Sequence, residues 1–77
     1  MKIEIIGMGC PKCIKLYENA QIAAKELNIQ AEIVKVEGLQ AIMERGVMIT
    51  PALVIDDVIK TAGRIATPEE IKQWISQ

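Results

Sequence analysis

The strongest constraint on this 77-residue chain is one short stretch, Met8-Gly9-Cys10-Pro11-Lys12-Cys13, which holds both of its cysteines. It lies between an isoleucine-rich run, Lys2 to Ile6, that suits a strand and a segment whose apolar residues recur at helical spacing. A Cys-x-x-Cys pair placed where a strand feeds a helix is catalytic or metal-binding more often than it is a structural staple. With Cys10 as N-cap and Pro11 as first helical residue, the missing proline N–H costs nothing, and the free amides of Lys12 and Cys13 point back at the Cys10 sulfur. The helix dipole and the Lys12 ammonium add positive potential there, so Pro11 and Lys12 belong to the apparatus that lowers the Cys10 pKa. Cys13 falls one turn along on the buried stripe. That asymmetry suits an exposed attacking thiol at Cys10 and a resolving thiol at Cys13.

The rest of the chain supplies a scaffold for one site. Seventy-seven residues, 51% hydrophobic and 25% charged, make a single globular domain spanning 1–77 that buries roughly 60% of its unfolded surface. A net charge of −1 leaves no basic field for nucleic acid, and the absence of histidine excludes Ser/His and Cys/His catalysis and mixed Cys/His zinc sites. The N-terminal run stops at Gly7 and is broken by Glu4, too short for a signal or a membrane span, which points to a cytoplasmic protein.

After the first strand, Cys13, Leu16, Tyr17, Ala20, Ala23, Ala24 and Leu27 mark a helix face, with Lys15, Glu18 and Asn19 on the other side. Ala31 to Val36 reads as a parallel strand, and Leu39, Ile42 and Met43 as the stripe of a short helix capped at Gly46. An apolar loop, Val47 to Pro51, leads into a buried strand from Ala52 to Ile55, in which Met48 is the best surface candidate and Val47 and Ile49 are as apt for core as for surface. Asp56-Asp57 turns into an edge strand, Val58 to Thr61, which Gly63 breaks. Thr67-Pro68-Glu69-Glu70 opens a last helix through a capping box, with Ile71, Trp74 and Ile75 inward. The order is βαβαββα.

Cys10-Pro11-Lys12-Cys13 after the first strand, Thr50-Pro51 before the third and a closing helix resemble the thioredoxin-like family in its minimal, glutaredoxin-sized form, across nearly the whole chain. The resemblance implies an α/β fold with a four-stranded mixed sheet and helices on both faces. It implies a thiol–disulfide oxidoreductase, acting as a protein-disulfide reductase by dithiol exchange and electron transfer, with Cys10 as nucleophile, Cys13 resolving and Pro51 cis. Thr50, Met48, Met8 and Gly63 are then the candidates for substrate contact. The partners implied are disulfide-bearing proteins or small thiols and a reductant, with no cofactor, no metal, no nucleic acid and no membrane, and the expected state is a monomer. Glu4 stands six residues before Cys10, where thioredoxins carry a buried carboxylate. The short second helix covers that face poorly, so a half-exposed strand residue is expected over a proton acceptor for Cys13. The same motif also satisfies the Met-x-Cys-x-x-Cys pattern of small copper carriers, since soft thiolates suit Cu(I). Those domains have a βαββαβ order that ends on a strand, which argues against that alternative.

Overall fold

The computed structural model describes residues 1–76. The elements are β1 (Lys2–Ile6), α1 (Pro11–Glu26), β2 (Glu32–Val36), α2 (Leu39–Glu44), β3 (Ala52–Ile55), β4 (Val58–Ala62) and α3 (Pro68–Ser76). The chain therefore has the βαβαββα order expected of its sequence. The sheet order is β2-β1-β3-β4, so β1, which leads into the cysteine motif, is central and β4 is an edge. β1 and β2 pair in parallel, as a strand-helix-strand unit requires, whereas β3 runs antiparallel to both β1 and β4.

Alternation along the central strands divides the core between two faces. Ile3 and Ile5 of β1 and Leu53 and Ile55 of β3 point to one side, where they meet Leu16, Ala20 and Ala23 of α1 and Ile71 and Ile75 of α3. Ile6, Ala52 and Val54 point to the other and meet Ile42 and Val47. The alanines of α1 bring that helix close to the sheet. α3 is held at its start by the capping box: the Thr67 hydroxyl accepts from the Glu70 amide at 3.2 Å while the Thr67 amide donates to the Glu70 carboxylate at 3.1 Å. Asp56 and Asp57 both have positive φ, 47° and 68°, the conformation of a two-residue hairpin turn whose twist matches its strands.

Several side chains depart from the sequence expectation. Glu4 is buried rather than half-exposed, because Arg45, just past α2, reaches it with Nε and Nη2 both 2.7 Å from Oε2. Asn19 is buried as well, its amide donating to the Ala66 carbonyl at 2.9 Å. Of the α2 stripe only Ile42 is inside; Leu39 and Met43 are exposed. Where the sequence left the choice open, Val47 is core and Ile49 is surface; Tyr17 and Trp74 pack against the α1 face of the core as their stripes imply, half-buried.

Candidate active site

The site is assembled where β1 ends. Gly7 still pairs with β2, its amide donating to the Val36 carbonyl at 3.0 Å, and it is buried. A Cβ on Gly7 would occupy the place of the Cys13 sulfur, so the absence of a side chain is what allows the second cysteine to pack onto the strand end. Gly9 turns the chain with φ +81°, a left-handed conformation that glycine adopts without strain.

Cys10 then caps α1 with extended backbone, Pro11 follows in the first turn, and the Cys10 sulfur accepts from the Cys13 amide at 3.3 Å. Both thiols are free, and their sulfurs lie 2.6 Å apart. The two differ in environment. Contact with the Cys13 thiol, then the Cys13 and Lys12 amides, hold Cys10 below the usual thiol range against a smaller opposing effect of desolvation. Burial first, and then the contact with Cys10, push Cys13 up, with the Gly9 amide working the other way. Lys12 thus acts on Cys10 through its backbone amide, while its side chain points into solvent beside the exposed Pro11.

The second wall is the loop before β3. The Thr50-Pro51 peptide bond is cis, in agreement with expectation. Pro51 is buried, and its carbonyl accepts from the Gly63 amide at 2.8 Å. Gly63 has φ +86°, and a Cβ there would come within 2.9 Å of the Ile49 side chain. Gly63 therefore stands behind the loop as its brace. Thr50 is exposed, and its Cβ lies 3.8 Å from where a Gly7 Cβ would be, which brings the loop alongside the cysteine pair. Met8 and Met48 are both exposed, Met48 at 95%. With Leu39, Ile42, Met43, Val47 and Thr50 they line a groove of about 370 Å³.

Glu4 is the candidate that the structure does not bring to the pair. Strand alternation turns it to the α2 face with Ile6, away from Ile5 and the Cys13 side, and Arg45 claims its carboxylate there. Arg45 and Glu37 are the residues of this region that sequence reasoning did not single out, and neither carries a local signal; Gly7 was visible as the glycine where the strand turns into the loop, though not its contact with Cys13. Among the described residues, no group of three or more His, Cys, Asp or Glu side chains is placed to hold a metal ion, and no helix is long and apolar enough to cross a membrane.

Two thiols held one helical turn apart, one ionising more readily than the other, can pass two electrons to a disulfide by forming one themselves. A strand-loop-helix dithiol, with a loop carrying a cis proline alongside the strand end, on this sheet, defines the thioredoxin-like class of thiol–disulfide oxidoreductases. The family described as Thioredoxin domain matches residues 1–76. The chain is 45% identical over 76 residues to a thioredoxin of Methanothermobacter thermautotrophicus, covering 99% of each chain. It is 51% identical over 71 residues to a thioredoxin of Methanocaldococcus jannaschii, covering 92% of this chain and 81% of the other. The chain belongs to the thioredoxin family.

Proposed function

We propose that this protein is a protein-disulfide reductase working through Cys10-Pro11-Lys12-Cys13. The observation that carries the reading is the unlike placement of two adjacent thiols: Cys10 caps the helix tip half-buried, its sulfur accepting from the Cys13 amide at 3.3 Å, while Cys13 is buried against Gly7 at the strand end. That placement lowers the pKa of the first and raises that of the second. The Cys10 thiolate attacks one sulfur of a substrate disulfide, and the other leaves as a thiolate. Cys13 then attacks Cys10, the second substrate sulfur departs, and the protein is left with a Cys10–Cys13 disulfide to be reduced by a separate reductant. No resident cofactor or metal takes part. An extended substrate segment lies along the exposed Thr50 backbone beside Pro51, its side chains over Met8 and Met48, while Gly63 braces Pro51 from behind. The related thioredoxins support this role, and the protein is proposed to act as a cytoplasmic monomer, a single domain of 77 residues. The copper-carrier alternative gains no support, because the chain closes on α3 and its loop before β3 carries a cis proline.

Insulin-disulfide reduction tests the assignment. Cys10→Ser should abolish turnover, and Cys13→Ser should accumulate a mixed disulfide visible by non-reducing electrophoresis. A Cys10→Ser variant that still turns over, or a mixed disulfide trapped on Cys13, reverses the roles.

A further inference from the structure

If Cys10 attacks and Cys13 resolves, the proton of Cys13 needs a destination. A buried thiol must lose that proton before its sulfur can attack the mixed disulfide. The carboxylate six residues before Cys10, Glu4, is on the far face of the sheet in an ion pair with Arg45. On the Cys13 side, however, a recess of about 10 Å³ lies between the Cys13 thiol, Gly9 and the end of β2, where Lys35 and Glu37 border it. That is room for about one water molecule; Ile5, Gly7 and Ile14 complete the wall, and besides Lys35 the groups on it that can exchange a proton with such a water are the Cys13 thiol and the Glu37 carboxylate. Glu37 leans over the active-site loop: its Oε2 would lie only 3.1 Å from a Cβ at Gly9, so the side-chain-free loop is what admits the carboxylate. Glu37 is itself exposed, so a proton it takes can pass on to solvent.

We propose that Glu37 is the proton acceptor for Cys13, reached through one water in this recess, during the resolving step; the inference rests on the Cys10-attacks, Cys13-resolves reading. The Cys13 S–H gives its proton to the water as the water gives one to Glu37. The Cys13 sulfur bonds to the Cys10 sulfur, and the bond between Cys10 and the substrate sulfur breaks. The electron pair leaves with the substrate as a thiolate, which is protonated from solvent. Over both steps two electrons pass from the dithiol to the substrate disulfide, and no further oxidant or reductant is needed. Burial first, and then the contact with Cys10, push the Cys13 thiol up and so hold its proton on, which is what makes an acceptor useful at neutral pH.

The other charged groups around the pair are few. Lys35 borders the recess from β2 and stacks its ammonium 4.6 Å from the Tyr17 ring centroid. Cys10 faces Cys13 from the helix tip, Lys12 and Lys15 of α1 are exposed, and the loop from Val47 to Pro51 contributes no ionisable side chain.

The test is rapid mixing of the reduced protein with one equivalent of the aromatic disulfide dithiobis(nitrobenzoate), followed by absorbance across a range of pH. The first nitrothiobenzoate released reports attack by the nucleophile and the second reports resolution. Glu37→Gln should slow the second release about tenfold or more at neutral pH, the lower end of what positioned proton transfer contributes. The deficit should shrink as pH rises and vanish once Cys13 ionises unaided, and Glu37→Asp, which keeps the carboxylate, should restore part of the rate. A Glu37→Gln profile that coincides with wild type, or one slowed by the same factor at every pH, overturns the proposal. A first release that survives Cys10→Ser would instead overturn the role assignment beneath it, so the two failures are distinguishable.

Discussion

Replacing Arg45 with methionine leaves the Glu4 carboxylate inside the α2 face with no cation beside it. Glu4 is 2% exposed, and the guanidinium contributes two contacts of 2.7 Å to a single oxygen. Removing one member of a fully buried ion pair costs about 3–5 kcal/mol. The Arg45 side chain is 34% exposed, so solvent already screens the pair in part, and a loss of about 2–3 kcal/mol is the appropriate expectation. At roughly 2.1 cal/mol/K of unfolding entropy per residue, that is a fall in Tm of about 12–18 °C for a chain of this length. Thermal unfolding of the reduced protein by circular dichroism measures it. The double replacement Glu4→Leu with Arg45→Met removes both charges and should lie within about 1 kcal/mol of wild type. Both variants should reduce insulin disulfides at the wild-type rate at 25 °C, since neither side chain faces the thiols. A single variant that loses less than about 0.5 kcal/mol, or a double variant as unstable as the single, would refute the reasoning.

Three further outcomes are expected. Gly7→Ala places a methyl group where the Cys13 sulfur sits and should cost about 1–3 kcal/mol in the reduced state while slowing resolution more than initial attack, which two-phase thiol release would show. Because the Cys10 pKa is lowered, its contribution to the stability of the reduced protein is full above the unfolded thiol pKa and lost as pH falls through the folded value; Cys13, raised, contributes fully below the unfolded pKa and loses that contribution as pH rises through its own. Alkylation by iodoacetamide at neutral pH, mapped by mass spectrometry, should accordingly mark Cys10 first, and preferential labelling of Cys13 would contradict the geometry. Glu70 is lowered to about 2 by the Arg64 guanidinium and then the Thr67 amide; its contribution is present above the ordinary carboxylate range and lost as pH falls toward 2, so an acid titration of Tm should lose part of its slope in Glu70→Gln.

Local signals made most of the architecture legible. Cys10 and Pro11 announced a helix start, Thr67 and Glu70 another, and Asp56-Asp57 a tight turn, because in each case the partners lie within a few residues. What was not legible depends on partners far along the chain. Glu4 read as half-exposed because the short second helix leaves its face poorly covered, and the cation that takes its carboxylate, Arg45, arrives 41 positions later. Asn19 read as solvent-facing because the carbonyl that satisfies it belongs to Ala66, 47 positions away. Leu39 and Met43 show the reverse failure. Their spacing is that of a buried stripe, yet a helix of six residues spans too little of the sheet to bury more than Ile42. The candidate site divides in the same way: the cysteines and Pro51 were visible as a motif, while Glu37 gave no pattern because its relation to Cys13 exists only through the way β2 ends beside the loop.

In the proposed mechanism the atom that exchanges electrons, the Cys10 sulfur, is also the atom that closes the end of α1. When the Cys10 sulfur is a thiolate it is a strong acceptor for the Cys13 amide; once it is bonded to a second sulfur that acceptor strength largely disappears. The first turn of the helix is therefore most tightly fastened when the protein is loaded with electrons and loosest midway through turnover, when the reacting sulfur must swing between two partners. Mechanical freedom at the tip is thus released at the stage of the cycle that needs it, and hydrogen exchange at the Cys13 amide, slow in the dithiol and faster in a trapped mixed disulfide, would time that release.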